Sequence, residues 1–146
     1  MKYYAGIFDG EGNVGIVKSH SKDPNRHYYY TLRAAVTNKS KVLLRRLREE
    51  FRGGIYPKGK NSDVFRWDTW SNDALSFLET VYPYLLIKSN AVWIAICFQR
   101  YIQIQGRRGG EGRGFLPYEL EVRESAYQVM RKINKRSKSN CPAGQK

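Results

Sequence analysis

The sequence has few cysteines and histidines and no long hydrophobic run. Its 146 residues include only two cysteines, Cys97 in an apolar segment and Cys141 in a polar one, and two histidines, His20 and His27. These four residues lack the spacing of a zinc site, and the two thiols make a poor disulfide pair. We therefore expect no disulfide, no zinc site and a reducing compartment. No apolar run approaches the ~20 residues of a membrane helix, and acids interrupt the first dozen residues, so we expect an intracellular, soluble protein without a signal peptide.

Acidic residues are also scarce. The chain has 13 Asp and Glu against 26 Lys and Arg, which gives a net charge of +13. Residues 1–105 alone have 16 basic and 9 acidic side chains, so the excess is not confined to the C-terminal part. A basic surplus of this size favours a polyanionic partner, because Lys and Arg release condensed counterions when they bind phosphates. The composition therefore indicates a nucleic-acid-binding protein.

The length is that of one domain. A chain of 146 residues with 41% hydrophobic and 14% aromatic residues can bury one core but not two. We assign the domain to residues 1–133, with a flexible Gly/Arg loop at 106–114 and a disordered basic tail at 134–146. The loop has too irregular a spacing to cradle a phosphate, and no internal repeat is evident.

Two stretches of alternating polarity predict a first hairpin. Residues 13–20 place Val14 and Ile16 on one face, and residues 28–36 place Leu32 among the apolar positions of the second strand. Turn-forming residues separate the two stretches. One face of this hairpin is apolar and the other polar, as expected for a sheet that is covered on one side.

A helix follows the first hairpin. The segment SKVLLRRLREEF places Val42, Leu43, Leu47 and Phe51 at helical spacing after a Ser40 cap.

GIYPKG and DVFRWDTW then predict a second hairpin. In its latter strand we assign Phe65 and Trp67 to the core and leave Arg66 and Asp68 on the open face.

The remaining segments are helical. SNDALSFLETV begins with a Ser71 cap and ends before Pro83; NAVWIAICFQRYIQIQ is a largely buried helix; a further helix surrounds PYELEVRESAYQVMRKI. The element order is helix, two strands, helix, two strands, then helices. It predicts an α+β fold with one uncovered sheet face.

The stretch YAGIFDGEG, residues 4–12, is similar to the signature of the LAGLIDADG homing endonucleases. TNKS (37–40), FRWD (65–68) and FLETVYPYLLIK (77–88) resemble later blocks of the same family in the same order. The resemblance covers roughly residues 1–105. It implies the family fold, αββαββα, with a curved antiparallel sheet that forms a DNA-binding saddle.

The resemblance assigns roles to residues of the motif. In the family two copies of the motif helix pack together, and small residues let the backbones approach closely. The last acid of the motif, here Glu11, binds a divalent ion at the scissile phosphate, the carbonyl of Gly10 is a neighbouring ligand, and Asp9 caps structure at the helix end. Only one motif is present, which implies a homodimer and a near-palindromic target. The implied interface residues are Tyr4, Ala5, Gly6 and Phe8.

The implied cofactor is Mg²⁺, or Mn²⁺ in its place, because a hard cation prefers oxygen ligands and keeps bound waters. Lys88 corresponds to a family lysine that stabilises charge at the phosphate. Asn38 stands where the family often has a glutamine that positions water. The catalytic set is therefore Glu11, Asn38 and Lys88.

The open sheet face is expected to read bases in the major groove, where each base pair has a distinct donor and acceptor pattern. Arg33 and Arg66 are the expected guanine contacts. The candidate base-reading residues are Asn13, Tyr29, Thr31, Arg33, Arg66 and Asp68, and the candidate phosphate contacts are Lys18, Lys58 and Lys60.

These features predict a site-specific DNA endonuclease that makes a double-strand break in a long target. Two alternatives use the same fold: an RNA maturase that assists the splicing of its own intron, and a DNA-binding relative without activity. An intron of an organelle (chloroplast or mitochondrion), a bacterium or a phage would suit as the host.

Overall fold

The computed structural model describes residues 1–20, 28–60, 62–105 and 116–139, the last four by backbone alone. The first-hairpin turn, the loop at 106–114 and the end of the tail lie outside the described residues. The elements are α1 (Lys2–Glu11), β1 (Gly12–Ser19), β2 (Tyr29–Asn38), α2 (Lys41–Phe51), β3 (Gly54–Pro57), β4 (Phe65–Trp70), α3 (Ser71–Val81), a 3₁₀ turn (Tyr82–Tyr84), α4 (Ser89–Gln105) and α5 (Pro117–Ser139).

The strands form one antiparallel sheet in the order β1-β2-β4-β3. Val14, Ile16, Leu32 and Val36 are buried on one face, as the alternating polarity predicts. The helices that pack on this face cover it, and the other face carries polar and charged side chains. The predicted α+β class, element order and single uncovered sheet face are confirmed.

Aromatic rings hold the helices to the covered face. Phe77 of α3 makes edge-to-face contacts with Phe8, Phe51 and Trp67, with ring centroids 5.0–5.1 Å apart. Such pairs stabilise by about 0.5–1.5 kcal/mol beyond the area they bury. The Trp67 indole N–H also donates to the Arg52 carbonyl at 2.7 Å. This cluster joins α1, α2, α3 and β4 and thereby fixes where the motif helix lies on the sheet.

The predicted starts of α2 and α3 have different outcomes in the structure. Ser40 caps α2 as predicted, because its hydroxyl accepts from the Leu43 N–H. The Val42 prediction is wrong: its side chain is 63% exposed, and Leu44 is buried in its place. The Ser71 cap is also wrong, since Trp70 occupies the N-cap of α3 without a side-chain hydrogen bond and Ser71 has a φ of +50°.

The last two helices need two corrections. Cys97 is exposed rather than buried, because it lies on the outer side of α4 with Trp93. The predicted tail begins within α5, which continues to Ser139. None of the described helices has the length and apolar character of a membrane span.

Helix α5 packs against β1 through both ends of its described part. The Lys18 ammonium contacts the Glu124 carboxylate at 2.7 Å, and the Tyr30 hydroxyl donates to the same carboxylate. Further along α5, the Asn134 amide donates to the Val14 carbonyl at 2.9 Å. β1 is an edge strand, so α5 satisfies a carbonyl that the sheet leaves unpaired.

Candidate functional site

The C-terminal end of α1 joins β1 without a loop. The Gly12 N–H donates to the Phe8 carbonyl, and a Cβ at Gly12 would lie 2.2 Å from the Phe8 ring and 2.4 Å from the Phe8 carbonyl oxygen. Only glycine fits this close approach. The carbonyls of the last helical turn carry the negative end of the helix dipole, so this end favours cations.

Asp9 ties α1 to the segment that begins α4. Its carboxylate accepts from three consecutive backbone amides: Leu86 at 2.7 Å, Ile87 at 3.3 Å and Lys88 at 3.0 Å. The prediction that Asp9 hydrogen-bonds structure at the helix end is confirmed. Because all three contacts use the carboxylate, Asp9 has a structural role that is distinct from that of Glu11.

Lys88 lies at the same junction. Its ammonium donates to the Asp9 carbonyl, on the helix end that favours positive charge. Burial lowers the pKa of Lys88, and the Asp9 carboxylate opposes this shift. The structure therefore places a half-buried cation on the carbonyl of Asp9, two residues before Glu11 in the chain.

Glu11 is exposed at the end of α1, and one of its carboxylate oxygens accepts from the Asn38 amide. The Asn38 side-chain oxygen in turn accepts from the Ser40 N–H at 2.7 Å. The nitrogen and the oxygen of the Asn38 amide thus each have a hydrogen-bond partner, which fixes the orientation of the side chain. Through its nitrogen, Asn38 holds the Glu11 carboxylate at the end of β2. Asn38 contacts Glu11 and Lys88 contacts the Asp9 carbonyl, so the three residues of the predicted catalytic set all lie at the end of α1 that carries Gly10.

The donors at this end are oxygens, which suit a hard divalent cation. They are the second carboxylate oxygen of Glu11 and the Gly10 carbonyl, at a helix end with a negative dipole. Within the described residues there is no group of three or more His, Cys, Asp or Glu side chains that would complete a metal site. These two oxygen donors fit part of the ligand set of a divalent cation.

A cavity of about 340 Å³ lies beside Gly10 and Lys88. Asn90 of α4 and Asn134 of α5 also line it. The sequence did not reveal these two asparagines, because their position depends on how α4 and α5 pack around the end of α1. No local pattern signals that contact.

The exposed side of α1 differs from the predicted interface. Ala5 and Phe8 are 0% exposed within the protomer, so they have no surface for a second copy, and Tyr4 is half-buried beside Phe51. Gly6 is exposed, with nothing within 4 Å of a Cβ built on it. Tyr3, Gly6 and Gly10 form the exposed side of the helix.

The open face of the sheet carries most of the candidate base-reading residues. The strand register places side chains of β1, β2 and β4 side by side on this face: Asn13, Tyr29, Thr31, Arg33 and Arg66. Two further exposed aromatic residues, Tyr56 and Trp70, share the face and were not among the predicted contacts. Trp70 lies four residues after Arg66 and therefore on the same side of the predicted strand, which was the available signal. Asp68 is on this face but only 2% exposed, so the expectation that it is an open base contact needs correction.

The three candidate phosphate contacts separate in the structure. Lys58 and Lys60 are exposed in the turn that joins β3 and β4. Lys18 instead shares the covered face with Val14 and Ile16, where it pairs with Glu124. Hydrogen bonds from Lys18, Tyr30 and Gln128 lower the pKa of Glu124 to about 2. Lys18 therefore holds α5 to the sheet, which corrects its assignment as a phosphate contact.

Solved structures of homing endonucleases have this architecture. The archaeal intron-encoded homing endonuclease I-Vdi141I, complexed with DNA, matches with a TM-score of 0.60 and 13% identity, over 88% of this chain and 94% of that one. I-CvuI in complex with the I-CreI target matches with a TM-score of 0.70 and 14% identity, over 88% of this chain and 78% of that one.

A third similar structure is the LAGLIDADG homing endonuclease I-SmaMI bound to cleaved DNA. It matches with a TM-score of 0.71 and 14% identity, over 90% of this chain but 43% of its own. No family sequence model and no curated protein sequence matches this chain. The chain has the fold of the LAGLIDADG homing endonucleases, in agreement with the resemblance of its motifs.

Proposed function

We propose that the protein is a homodimeric, divalent-metal-dependent endonuclease that makes a double-strand break at a specific DNA site. The observation that carries the proposal is Glu11, an exposed carboxylate that Asn38 holds at the end of the motif helix, where the half-buried Lys88 contacts the Asp9 carbonyl. The open sheet face with Arg33 and Arg66 supports DNA recognition. The similar structures support DNA binding with a divalent metal present, since I-CvuI was solved with uncleaved DNA in the presence of Mg and with its target in the presence of Ca.

The residues of the site divide the chemistry between them. Glu11 and the Gly10 carbonyl would hold Mg²⁺, which when bound supplies Lewis-acid stabilisation and an activated water. Asn38 would act through Glu11, as a positioning residue whose amide fixes the direction of the carboxylate. Lys88 would place positive charge where negative charge develops on the phosphate, and its partial burial strengthens that interaction. Asp9 fixes the backbone from which Lys88 extends.

The dimer would form through the exposed side of α1. Gly6 and Gly10 are four residues apart on this side and have no side chains to separate two helices. A chain that matches 78–94% of I-CvuI and I-Vdi141I but only 43% of I-SmaMI is consistent with one motif per protomer. In the dimer two copies of Glu11 would lie on either side of a two-fold axis, one for each DNA strand.

Replacing Gly6 with leucine tests this interface. The protomer has open space at this position, and leucine is a better helix former than glycine, which costs about 0.8–1 kcal/mol relative to alanine, so the protomer stays folded. The side chain keeps two α1 helices apart, and we expect a monomer in sedimentation experiments where the unmodified protein is a dimer. Glu49→Leu, an equally large side chain on the exposed side of α2, should remain dimeric. A Gly6→Leu protein that still sediments as a dimer would place the interface elsewhere.

The activity itself is tested with a library of randomised duplex DNA and Mg²⁺. We expect both strands to be cut at one near-palindromic sequence. Specific binding without cutting indicates a DNA-binding relative without activity. The absence of specific DNA binding, together with accelerated splicing of an intron RNA, indicates a maturase, and either result overturns the proposal.

A further inference from the structure

A buried carboxylate lies in the middle of the open sheet face. Asp68 is 2% exposed, although its neighbours across the sheet, Ala35 on β2 and Gly54 on β3, are too small to cover it. Arg33 and Arg66 cover it instead. Both are positioned by the register, Arg33 on β2 opposite Trp70 and Arg66 two residues before Asp68 on β4.

Each oxygen of Asp68 serves one arginine. Arg33 donates to Oδ1 from Nε at 2.8 Å and from Nη2 at 2.5 Å. Arg66 donates to Oδ2 from Nε at 2.7 Å. A buried carboxylate with charge-assisted bonds on both oxygens is a fixed anchor, because each oxygen already has a charged donor. With two guanidinium groups around one carboxylate, the cluster has a net positive charge toward the solvent.

The two arginines are not equivalent. Arg33 uses two donors on Asp68, its side chain is only 24% exposed, and its Cζ lies 5.3 Å from the centre of the Trp70 ring. Arg66 uses one donor, and its side chain is 42% exposed. Among the described residues, the two Nη groups of Arg66 have no hydrogen-bond partner. The bond to Asp68 therefore fixes the orientation of the Arg66 guanidinium, and its two Nη groups are available to a ligand.

We propose that Arg66 is the guanine-reading side chain of this face, that Asp68 is the positioning residue that aims it, and that Arg33 braces Asp68. This inference rests on the proposed function. A guanidinium fork matches the adjacent O6 and N7 acceptors that guanine presents in the major groove. Asp68 tethers Arg66 through Nε and leaves both Nη groups for that pair, so the orientation is set before DNA binds. Arg33, which is stacked on Trp70, neutralises the other oxygen.

The test is selection from a randomised duplex library by binding, without divalent metal so that the DNA stays intact. We expect the unmodified protein to select guanine at one position of each half-site. Arg66→Ala should lose about tenfold or more of that preference, at that position alone. Asp68→Asn, which keeps the size of the side chain, should weaken the preference at the same position. Arg33→Ala should lose less of the guanine preference than Arg66→Ala. It should also leave the base preference at every other position unchanged.

Arg45→Ala is the matched control, since it removes an exposed arginine from α2, on the covered side of the sheet. It should leave the selected sequence unchanged. Thermal unfolding of each variant shows that it is folded, and Arg66 is exposed enough for its removal to be tolerated. The inference is overturned if Arg66→Ala keeps the guanine preference, or if Arg33→Ala abolishes a preference that Arg66→Ala retains. An unmodified protein that selects no sequence overturns the proposed function itself.

Discussion

Glu11→Gln is expected to bind the target DNA and to leave it uncut. The substitution keeps the length of the side chain and an oxygen that accepts from Asn38, so the local hydrogen bond survives. It removes the negative charge that holds a divalent cation, and we expect the cleavage rate to fall by about 10²- to 10³-fold or more. DNA affinity should stay equal or rise slightly, because a carboxylate that faces phosphates is lost. Cleavage with Mg²⁺ and binding by gel shift on the same duplex measure the two effects separately.

Glu49→Gln is the control for this experiment. It makes the same chemical change at an exposed position of α2, away from the end of α1, and should leave both cleavage and binding unchanged. A Glu11→Gln protein that cuts at the unmodified rate would show that this carboxylate does not take part in the reaction.

The features that the sequence predicts well depend on local patterns. Val14, Ile16 and Leu32 alternate with polar residues, and this alternation identifies the covered face without knowledge of strand order. Ser40 lies directly before the apolar spacing of a helix, and its hydroxyl forms the expected cap. The motif residues Asp9 and Glu11 end up at the junction that the family resemblance implies, because helix and strand join there without a loop.

The features that the sequence does not predict depend on contacts between distant segments. Lys18 and Glu124 are 106 residues apart, and only the packing of α5 on β1 brings them together. The burial of Asp68 follows from the register, which places small residues beside it and arginines over it. A pattern of alternating polarity identifies the face of a side chain but not whether neighbouring side chains cover it. Ala5 and Phe8 illustrate the same limit. Both sides of the motif helix carry apolar residues, and the sequence does not show which side packs against the rest of the protein.

Asp9→Ala is expected to destabilise the protein and to disable the site together. Three amide donors lose their acceptor, two of them at exposed contacts that water can replace, so the free energy of unfolding should fall by about 1–3 kcal/mol. The segment that positions Lys88 is released, and a displacement of about 1 Å at a catalytic site can slow a reaction about 10²-fold. Thermal unfolding and cleavage rates measure the two effects, and Asp63→Ala, at an exposed carboxylate in a surface ion pair, is the charge-matched control.

The pH profile of Asp9→Asn separates the positioning of Lys88 from its charge. Asparagine keeps a side-chain oxygen for the backbone amides, so the loss of stability should be smaller than with alanine. The Asp9 carboxylate raises the pKa of Lys88 against the lowering caused by burial, and its removal leaves only the lowering. The ammonium then loses its proton at a lower pH. If charged Lys88 stabilises the phosphate, the alkaline limb of the cleavage profile moves to lower pH in Asp9→Asn and stays in place in Asp63→Ala. An unmoved limb in Asp9→Asn would mean that the charge of Lys88 does not control the reaction.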